Sequence, residues 1–472
     1  MRAKSSYASW VLVSILLVVA FLLQALFPGA LLGLEGRRSS FFKESAQTKF
    51  LANLLILLFI LIISFALSVF IRRINFAFSR RFHFIALLSA LFLLLTPTSL
   101  KIVGIASPLK LYMDVFRIGF MPSIFADLRI ILTGIGCSSV VRIGDPIVCA
   151  SVSDGAPAWI YPSTLLYLRR LGISQDITVG LGVAFVISFT LALLLFISRQ
   201  IDFAASWALL IFLLSPASFL LLERMNLDVV IVTLLLFAAL IQPRRFRDLF
   251  MLTSLFIASL SKYYALASFS MVWFIHRTKL TLFLYGSTGL FLGYILIKDL
   301  AEVRSALPND MIGSFGWRNT ICLYLGCQSI EEVPSLRSTL LLIAICSLLF
   351  LLFGKRIRND ISCLEPTITS QAHVIKLTFF IISAPPVILF WTTTSNYWYR
   401  LVISIICYSA LVSLMKSHGF LFYVFVLSIV SAFFPMGTFA NVTNLCLTLL
   451  HFIIILYYLN LVIVFRERKP IF

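Results

Sequence analysis

Apolar residues along this chain fall in long unbroken runs, not in alternation or in one-sided stripes. "FLANLLILLFILIISFALSVFI", from Phe50 to Ile71, is representative. At a rise of about 1.5 Å per residue, a run of that length crosses a bilayer core as a helix. A transmembrane barrel would need alternating polarity, which these runs lack. The pattern predicts an all-α, polytopic transmembrane protein of about 12 spans. They lie near residues 10–30, 50–71, 84–99, 177–198, 203–222, 228–242, 279–298, 338–354, 375–391, 401–416, 419–435 and 442–465. The first run follows "MRAKSS", which looks like the basic start of a signal peptide. "ALFPGALLG" lacks a small-x-small cleavage pattern, so the run is read as a span.

The polar connectors orient these spans. "RRINFAFSRR" (72–81), "PRRFR" (243–247), "HRTK" (276–279), "KRIR" (355–358) and "RERK" (466–469) are the most basic, and the positive-inside rule puts them in the cytoplasm. One full span cannot join 243–247 to 276–279 if both lie on the same side. Two half-length helices meeting near Ser261-Lys262-Tyr263 can, as a re-entrant hairpin with arms of about 13 residues. Both termini are then cytoplasmic. Residues 100–176 and 299–337 become two large extracytoplasmic loops, and 223–228 and 392–400 two short ones. The chain reads as a single integral membrane domain over 1–472. It divides into an N-terminal two-span extension (1–83), a core (84–416) and C-terminal spans (417–472).

Composition strengthens this picture. Of 472 residues, 61% are hydrophobic and 12% charged, against about a quarter charged in soluble domains. The net charge of +19 invites a nucleic-acid partner. The basic residues sit in short clusters between spans, however, where they orient helices, so no nucleic acid is expected. Four of the eight cysteines, Cys137, Cys149, Cys322 and Cys327, fall in the two large loops. Outside the cytoplasm they are disulfide candidates, with Cys137–Cys149 and Cys322–Cys327 the local pairings. Buried small hydrophobes are the competing explanation.

Charged and hydrogen-bonding residues are scarce enough to follow one by one. "LYMDVFRIGFMPSIFADLRIIL" (111–132) fits helices lying in the membrane interface. Asp114 and Asp127 would then sit near the surface, where a carboxylate can take a proton from a hydroxyl or help hold a divalent cation. The plainer role is a solvated surface charge. "ERMNLD" gathers Glu223, Arg224, Asn226 and Asp228 in one short turn. A turn needs less than that, although a turn meeting water is polar anyway. Lys262 at the hairpin tip costs about 2.5–3.5 kcal/mol to insert, unless it snorkels or neutralises an anion. "SNYWYR" (395–400) looks like an interfacial aromatic belt, but Asn396, Tyr397 and Arg400 add hydrogen bonding and a guanidinium fork suited to phosphate. Zinc-protease, Walker, serine-hydrolase and dinucleotide motifs are absent.

In order and spacing, this series resembles the GT-C superfamily of polytopic glycosyltransferases. The nearest likeness is to the bacterial branch that uses polyprenyl-phosphate-linked mannose. The likeness rests on Asp127, on Gly144-Asp145-Pro146, on Tyr161-Pro162, on "SPASFLLLERMNLD" (215–228), on "KYYA" (262–265) and on "SNYWYR", and it covers residues 84–416. Met225 stands where that pattern has Gly, Ala265 where it has Pro, and Trp398 where an acidic residue is common. The Tyr usual after the first Asp is missing.

The resemblance implies a GT-C-like core and hexosyl transfer from a polyprenyl-phosphate sugar donor to a lipid or glycan acceptor, at the outer face of the cell (inner) membrane. It implies Asp127 as the base, with Asp114 second. Arg224, Lys262 and Arg400 would hold the donor phosphate, and Glu223, Asn226, Asp228, Asn396 and Tyr397 would line the substrate site. It names no definite cofactor, and a divalent cation remains an option. A lipid-linked glycan flippase or other transporter, a glycan polymerase or ligase, and an inactive relative are the alternatives. A transporter predicts charges at the midplane of the spans, and Lys262 is almost alone in that respect.

Overall fold

The computed structural model describes residues 89–92, 94–95, 125–137, 159–198, 213, 215–241, 244–274, 279–306, 314–325, 333, 335–362, 371–393, 396–397, 400–414 and 440–466. These are overwhelmingly helical. In chain order the helices are α1 (Ala126–Gly136), α2 (Thr178–Ser198), α3 (Pro216–Arg224), α4 (Asp228–Leu240), α5 (Arg244–Ser261) and α6 (Lys279–Ala306). They continue with α7 (Trp317–Leu325), α8 (Ser335–Ser362), α9 (Gln371–Thr393), α10 (Leu401–Leu414) and α11 (Ala440–Arg466). Segments Ser163–Leu171 and Tyr263–Trp273 are 3-10 helices. One short antiparallel ladder pairs β1 (Ser314–Phe315) with β2 (Asn396–Tyr397).

Among the described residues, five helices are long and apolar enough to cross a membrane: Gln175–Ser198, Lys279–Asp299, Leu336–Asn359, Val374–Thr392 and Leu447–Val464. They coincide with five of the expected spans. The runs at 10–30, 50–71 and 419–435 lie outside the described residues. That at 84–99 is seen only as helical residues near Ala90, Leu91 and Leu94.

Most of the expected span at 203–222 lies outside the described residues, and its last part is interrupted at Ser215. Ser215 leaves the helical conformation and its Oγ accepts the Ser218 N–H, while Pro216 takes the first helical position. Proline is well suited there, because its missing N–H would have had no helical partner. A new helix therefore begins inside the apolar run. The expected span at 228–242 is short: α4 has 13 residues, against the roughly 20 needed to cross.

Helix α9 is the centre of the bundle. It packs against α10, α4, α11 and the 3-10 segment 263–273. Of its apolar window, 83% is buried, against 11% for α6 and 6% for α8, so α6 and α8 turn their apolar surface outward. α9 contains Pro385 and Pro386. A proline has no N–H to give the carbonyl four residues back, so Pro386 releases the carbonyl of Ile382. The Ser268 hydroxyl donates to that carbonyl at 2.6 Å. A backbone group freed in an apolar interior is thus met from the neighbouring segment, and the same bond docks that segment on α9.

The chain turns back at Lys262, as the connector charges require. Lys262 is extended (φ −154°, ψ 136°) between α5 and the 3-10 helix. Tyr285 of α6 touches both arms: its hydroxyl donates to the Asp248 carbonyl at 2.9 Å, and its ring lies 6.2 Å from that of Phe269. A continuous helix would separate Asp248 from Phe269 by about 30 Å. Only a hairpin brings them to one side chain.

Two predictions follow from this packing. Cysteines placed at Arg245 and at Lys279 should be labelled by an impermeant maleimide from the same face, since the hairpin returns the chain to its starting side. Labelling from opposite faces would contradict the hairpin. At Gly182 a Cβ would lie 2.2 Å from the Phe125 ring. Gly182→Ala must therefore displace Phe125 and the start of α1, and thermal unfolding in detergent should show a loss on the order of 1–3 kcal/mol.

Candidate functional site

Three breaks in helical structure meet at one place, and each has a local cause. The turn between α3 and α4 is made by Met225, which adopts a left-handed conformation (φ 50°, ψ 57°). Asn226 follows, and its Oδ1 accepts the Asp228 N–H at the start of α4. Side-chain acceptance of this kind meets a donor that a helix N-terminus leaves over. The second break is the hairpin tip at Lys262. The third precedes α1, where Phe125 is also left-handed (φ 53°, ψ 44°) and its N–H donates to the Glu223 carbonyl at 3.2 Å. That bond ties the first loop to the "ERMNLD" turn.

The side chains at these breaks form one continuous network. Asp127 accepts a hydrogen bond from Asn226 Nδ2 at 2.8 Å and lies 3.7 Å from the Arg224 guanidinium. Lys262 Nζ donates to Asn226 Oδ1 at 2.6 Å and pairs with Asp228 Oδ1 at 2.9 Å. Asp228 also accepts from the Tyr264 hydroxyl and stands 3.8 Å from Arg400 Nε. Aromatic rings frame the cations. Lys262 Nζ is 5.7 Å from the centre of the Tyr161 ring, and Arg400 is 5.7 Å from that of Tyr264, within reach of cation–π attraction.

The turn does not meet water. Glu223, Asn226 and Asp228 are 1%, 1% and 0% exposed, and Lys262 is 5% exposed. Asp127 is the more open carboxylate, with 12% of its side chain exposed against none for Asp228. Burial raises the Asp127 pKa above the usual carboxylate range, against the lowering pull of Arg224, Asn226 and Lys262. Burial, with Asp127 and Asp228 nearby, also raises the Tyr161 hydroxyl, which stays protonated.

Of the residues singled out from sequence, Asp127, Arg224, Asn226, Asp228, Lys262 and Arg400 come together. Glu223 is buried beside them and joins the network through its backbone. Asn396 and Tyr397 enter through the β2 backbone, with Phe315 opposite Asn396 and Ser314 opposite Tyr397; their side chains lie outside the described residues. Asp114 does too. Tyr161 and Tyr264, present in the sequence analysis only as parts of the resemblance, join the site, and a second, unanticipated cluster lies in the C-terminal half of α6. There Asp299, 1% exposed, accepts from Ser163 N–H at 2.9 Å and from the Tyr263 hydroxyl at 2.8 Å. The tyrosines beside Lys262 were the available signal for two of these. Asp299, in "IKDLAE", reads as an ordinary solvated helix end.

The cysteine expectations divide. Cys137 is disulfide-bonded, with a partner outside the described residues, where Cys149 also lies. The local Cys322–Cys327 pairing is corrected. Cys322 carries a buried thiol on α7, packed as the small hydrophobe that was the competing explanation.

Among the described residues, no group of three or more His, Cys, Asp or Glu side chains could hold a metal ion. Asp127 and Asp228 instead lie against cations. No family model, curated protein or solved structure matches this chain.

The network assigns Asp228 the role of holding two cations in a dry interior. Asp228→Asn keeps an acceptor for Tyr264 but leaves Lys262 and Arg400 without their shared charge. Removing one partner of a buried pair costs about 3–5 kcal/mol. A loss of that order is expected in thermal unfolding of the purified protein. An unchanged midpoint would show that the cations do not depend on Asp228.

Proposed function

We propose that this chain is a multi-pass membrane glycosyltransferase of the GT-C type. It transfers a hexose, mannose by resemblance, from a polyprenyl-phosphate donor to a hydroxyl on a lipid or glycan acceptor. The reaction belongs at the extracytoplasmic face of the cell membrane, with both termini in the cytoplasm. One observation carries the reading: three cations and one partly open carboxylate, drawn from four separated segments, share a single polar site in an otherwise apolar protein.

The chemistry balances with those groups. The acceptor oxygen forms a bond to the anomeric carbon while its proton passes to Asp127. The bond from that carbon to the phosphate oxygen breaks, and the polyprenyl phosphate leaves with the electron pair. Arg224, Lys262 and Arg400 offset the charge that grows on the leaving phosphate. Such stabilisation is strongest where water is excluded and the donors are already fixed. Asp228 keeps Lys262 and Arg400 in place before the donor arrives. Arg224 and Asn226 orient Asp127.

The test is transfer from a labelled polyprenyl-phosphate sugar by protein reconstituted in vesicles. Asp127→Asn preserves shape and removes the base, so turnover should fall by about 10²–10⁴-fold while donor binding persists. The base works only when ionised, and its pKa lies above the ordinary carboxylate range. The rate should therefore decline on acidification at a higher pH than an ordinary carboxylate would give. An Asp127→Asn variant with full turnover, or an acid limb at the ordinary position, would remove Asp127 from the mechanism.

A further inference from the structure

The 3-10 helix Ser163–Leu171 joins the ends of two helices long and apolar enough to cross a membrane. Its first residue donates its N–H to Asp299 at 2.9 Å, and Asp299 closes the apolar window of α6. Its last residue is followed by Gly172, whose left-handed backbone (φ 72°) ends the helix. The apolar window that includes α2 opens soon after, at Gln175. At about 2.0 Å per residue the 3-10 helix is roughly 18 Å long. A segment fixed at both ends to span termini runs along the membrane boundary, at the level of lipid head groups, and not through the hydrocarbon.

None of its nine residues is fully buried. About three residues per turn sort its side chains into rows. Leu165 and Leu168 share one row and, with Leu166, pack partly against the core. Tyr167 and Arg170 share another, and the Arg170 guanidinium lies 5.4 Å from the centre of the Tyr167 ring, within reach of cation–π attraction. Tyr167 is 62% exposed and Leu171 75%, and Arg169 and Arg170 are exposed beside them. Ile177 and Val179, where α2 begins, extend the exposed apolar surface. Among the described residues neither arginine meets a carboxylate. The nearest acid in sequence, Asp176, accepts from the Ser174 hydroxyl at 3.0 Å. On the orientation proposed above the pair lies outside, so it is not one of the basic connectors that hold spans to the cytoplasm.

We propose that this helix is a binding surface for anionic phospholipid, with Arg169 and Arg170 on the head-group phosphate and Tyr167 and Leu171 set into the bilayer beside it. An aromatic ring, a leucine and two guanidinium groups exposed together at the water–lipid boundary match a partner that is apolar on one side and anionic on the other. A guanidinium meets a phosphate through two parallel hydrogen bonds. Two such charges with no protein acid to offset them favour a lipid of net negative charge over a zwitterionic one, whose ammonium group repels them. The surface uses none of the cations of the central network and does not depend on a transferase reaction.

The test uses the full chain in phosphatidylcholine nanodiscs holding a trace of phosphatidylglycerol that carries a diazirine close to its glycerol. Photolysis should label residues 163–171. The matching phosphatidylcholine probe should label them about fivefold less, and inorganic phosphate at constant ionic strength should not compete. Replacing both arginines, Arg169→Gln with Arg170→Gln, should cut labelling by the phosphatidylglycerol probe on the order of tenfold. Arg169→Lys with Arg170→Lys keeps the charge and should retain most of it. Arg356→Gln, exposed on α8, should leave it unchanged. Label absent from 163–171, equal labelling by the two probes, or full labelling of the double glutamine variant overturns the proposal. Competition by inorganic phosphate does so too, because it marks a site for a free anion. Labelling is read without turnover, so its outcome is distinct from that of the transfer assay.

Discussion

A carboxylate with no exposed surface holds the centre of this molecule. Asp228 is surrounded by Lys262, Arg400 and the Tyr264 hydroxyl, and taking such groups out of water is costly unless each is met. The arrangement satisfies that demand through geometry. Asp228 begins α4, where the helix dipole favours negative charge. Lys262 sits where the hairpin reverses, and Arg400 precedes α10. Neither cation could be left alone in this interior, so the three segments must arrive together. Once they do, Asn226 passes the connection on to Asp127, and the first loop becomes part of the same unit.

The helix breaks are the other half of that constraint. An uninterrupted span would carry its polar residues past one another at different depths. Here the chain bends at Phe125, turns after α3 and reverses at Lys262, so Asp127, Asp228 and Lys262 stop at one level. Each break leaves backbone groups that an apolar surrounding would not tolerate. Asn226 accepts the Asp228 N–H, and Phe125 N–H finds the Glu223 carbonyl. At the proline pair in α9, Ser268 supplies the missing donor. The apolar helices outside this centre provide the dry environment that strengthens every interaction within it.

Much of this could be read from the sequence because charge is scarce in it. In an apolar chain, a lysine followed by two tyrosines and a turn holding two carboxylates and an arginine must find partners, and few partners exist. The hairpin followed from two basic connectors that one span could not join. Other features left no such trace. Ser215-Pro216 begins a helix inside a run that hydropathy alone reads as continuous. Cys322 looks like a loop cysteine until α7 turns it inward. Tyr161 resembles any interfacial aromatic, and its place beneath Lys262 depends on a contact across about a hundred residues. The twelve-span count, the sugar and the acceptor rest on the resemblance and on hydropathy, not on this geometry.

Met225 carries a consequence of its own. Its backbone is left-handed, which costs an L-residue about 1–2 kcal/mol relative to glycine, yet its side chain is completely buried. Glycine there would relax the backbone and open a void worth about 2–5 kcal/mol. Alanine would keep the strain and still lose most of the packing. Neither exchange improves the protein by itself. Passage between a glycine turn and a methionine turn therefore needs a second, compensating change in the neighbouring wall, and the two positions must drift as a pair.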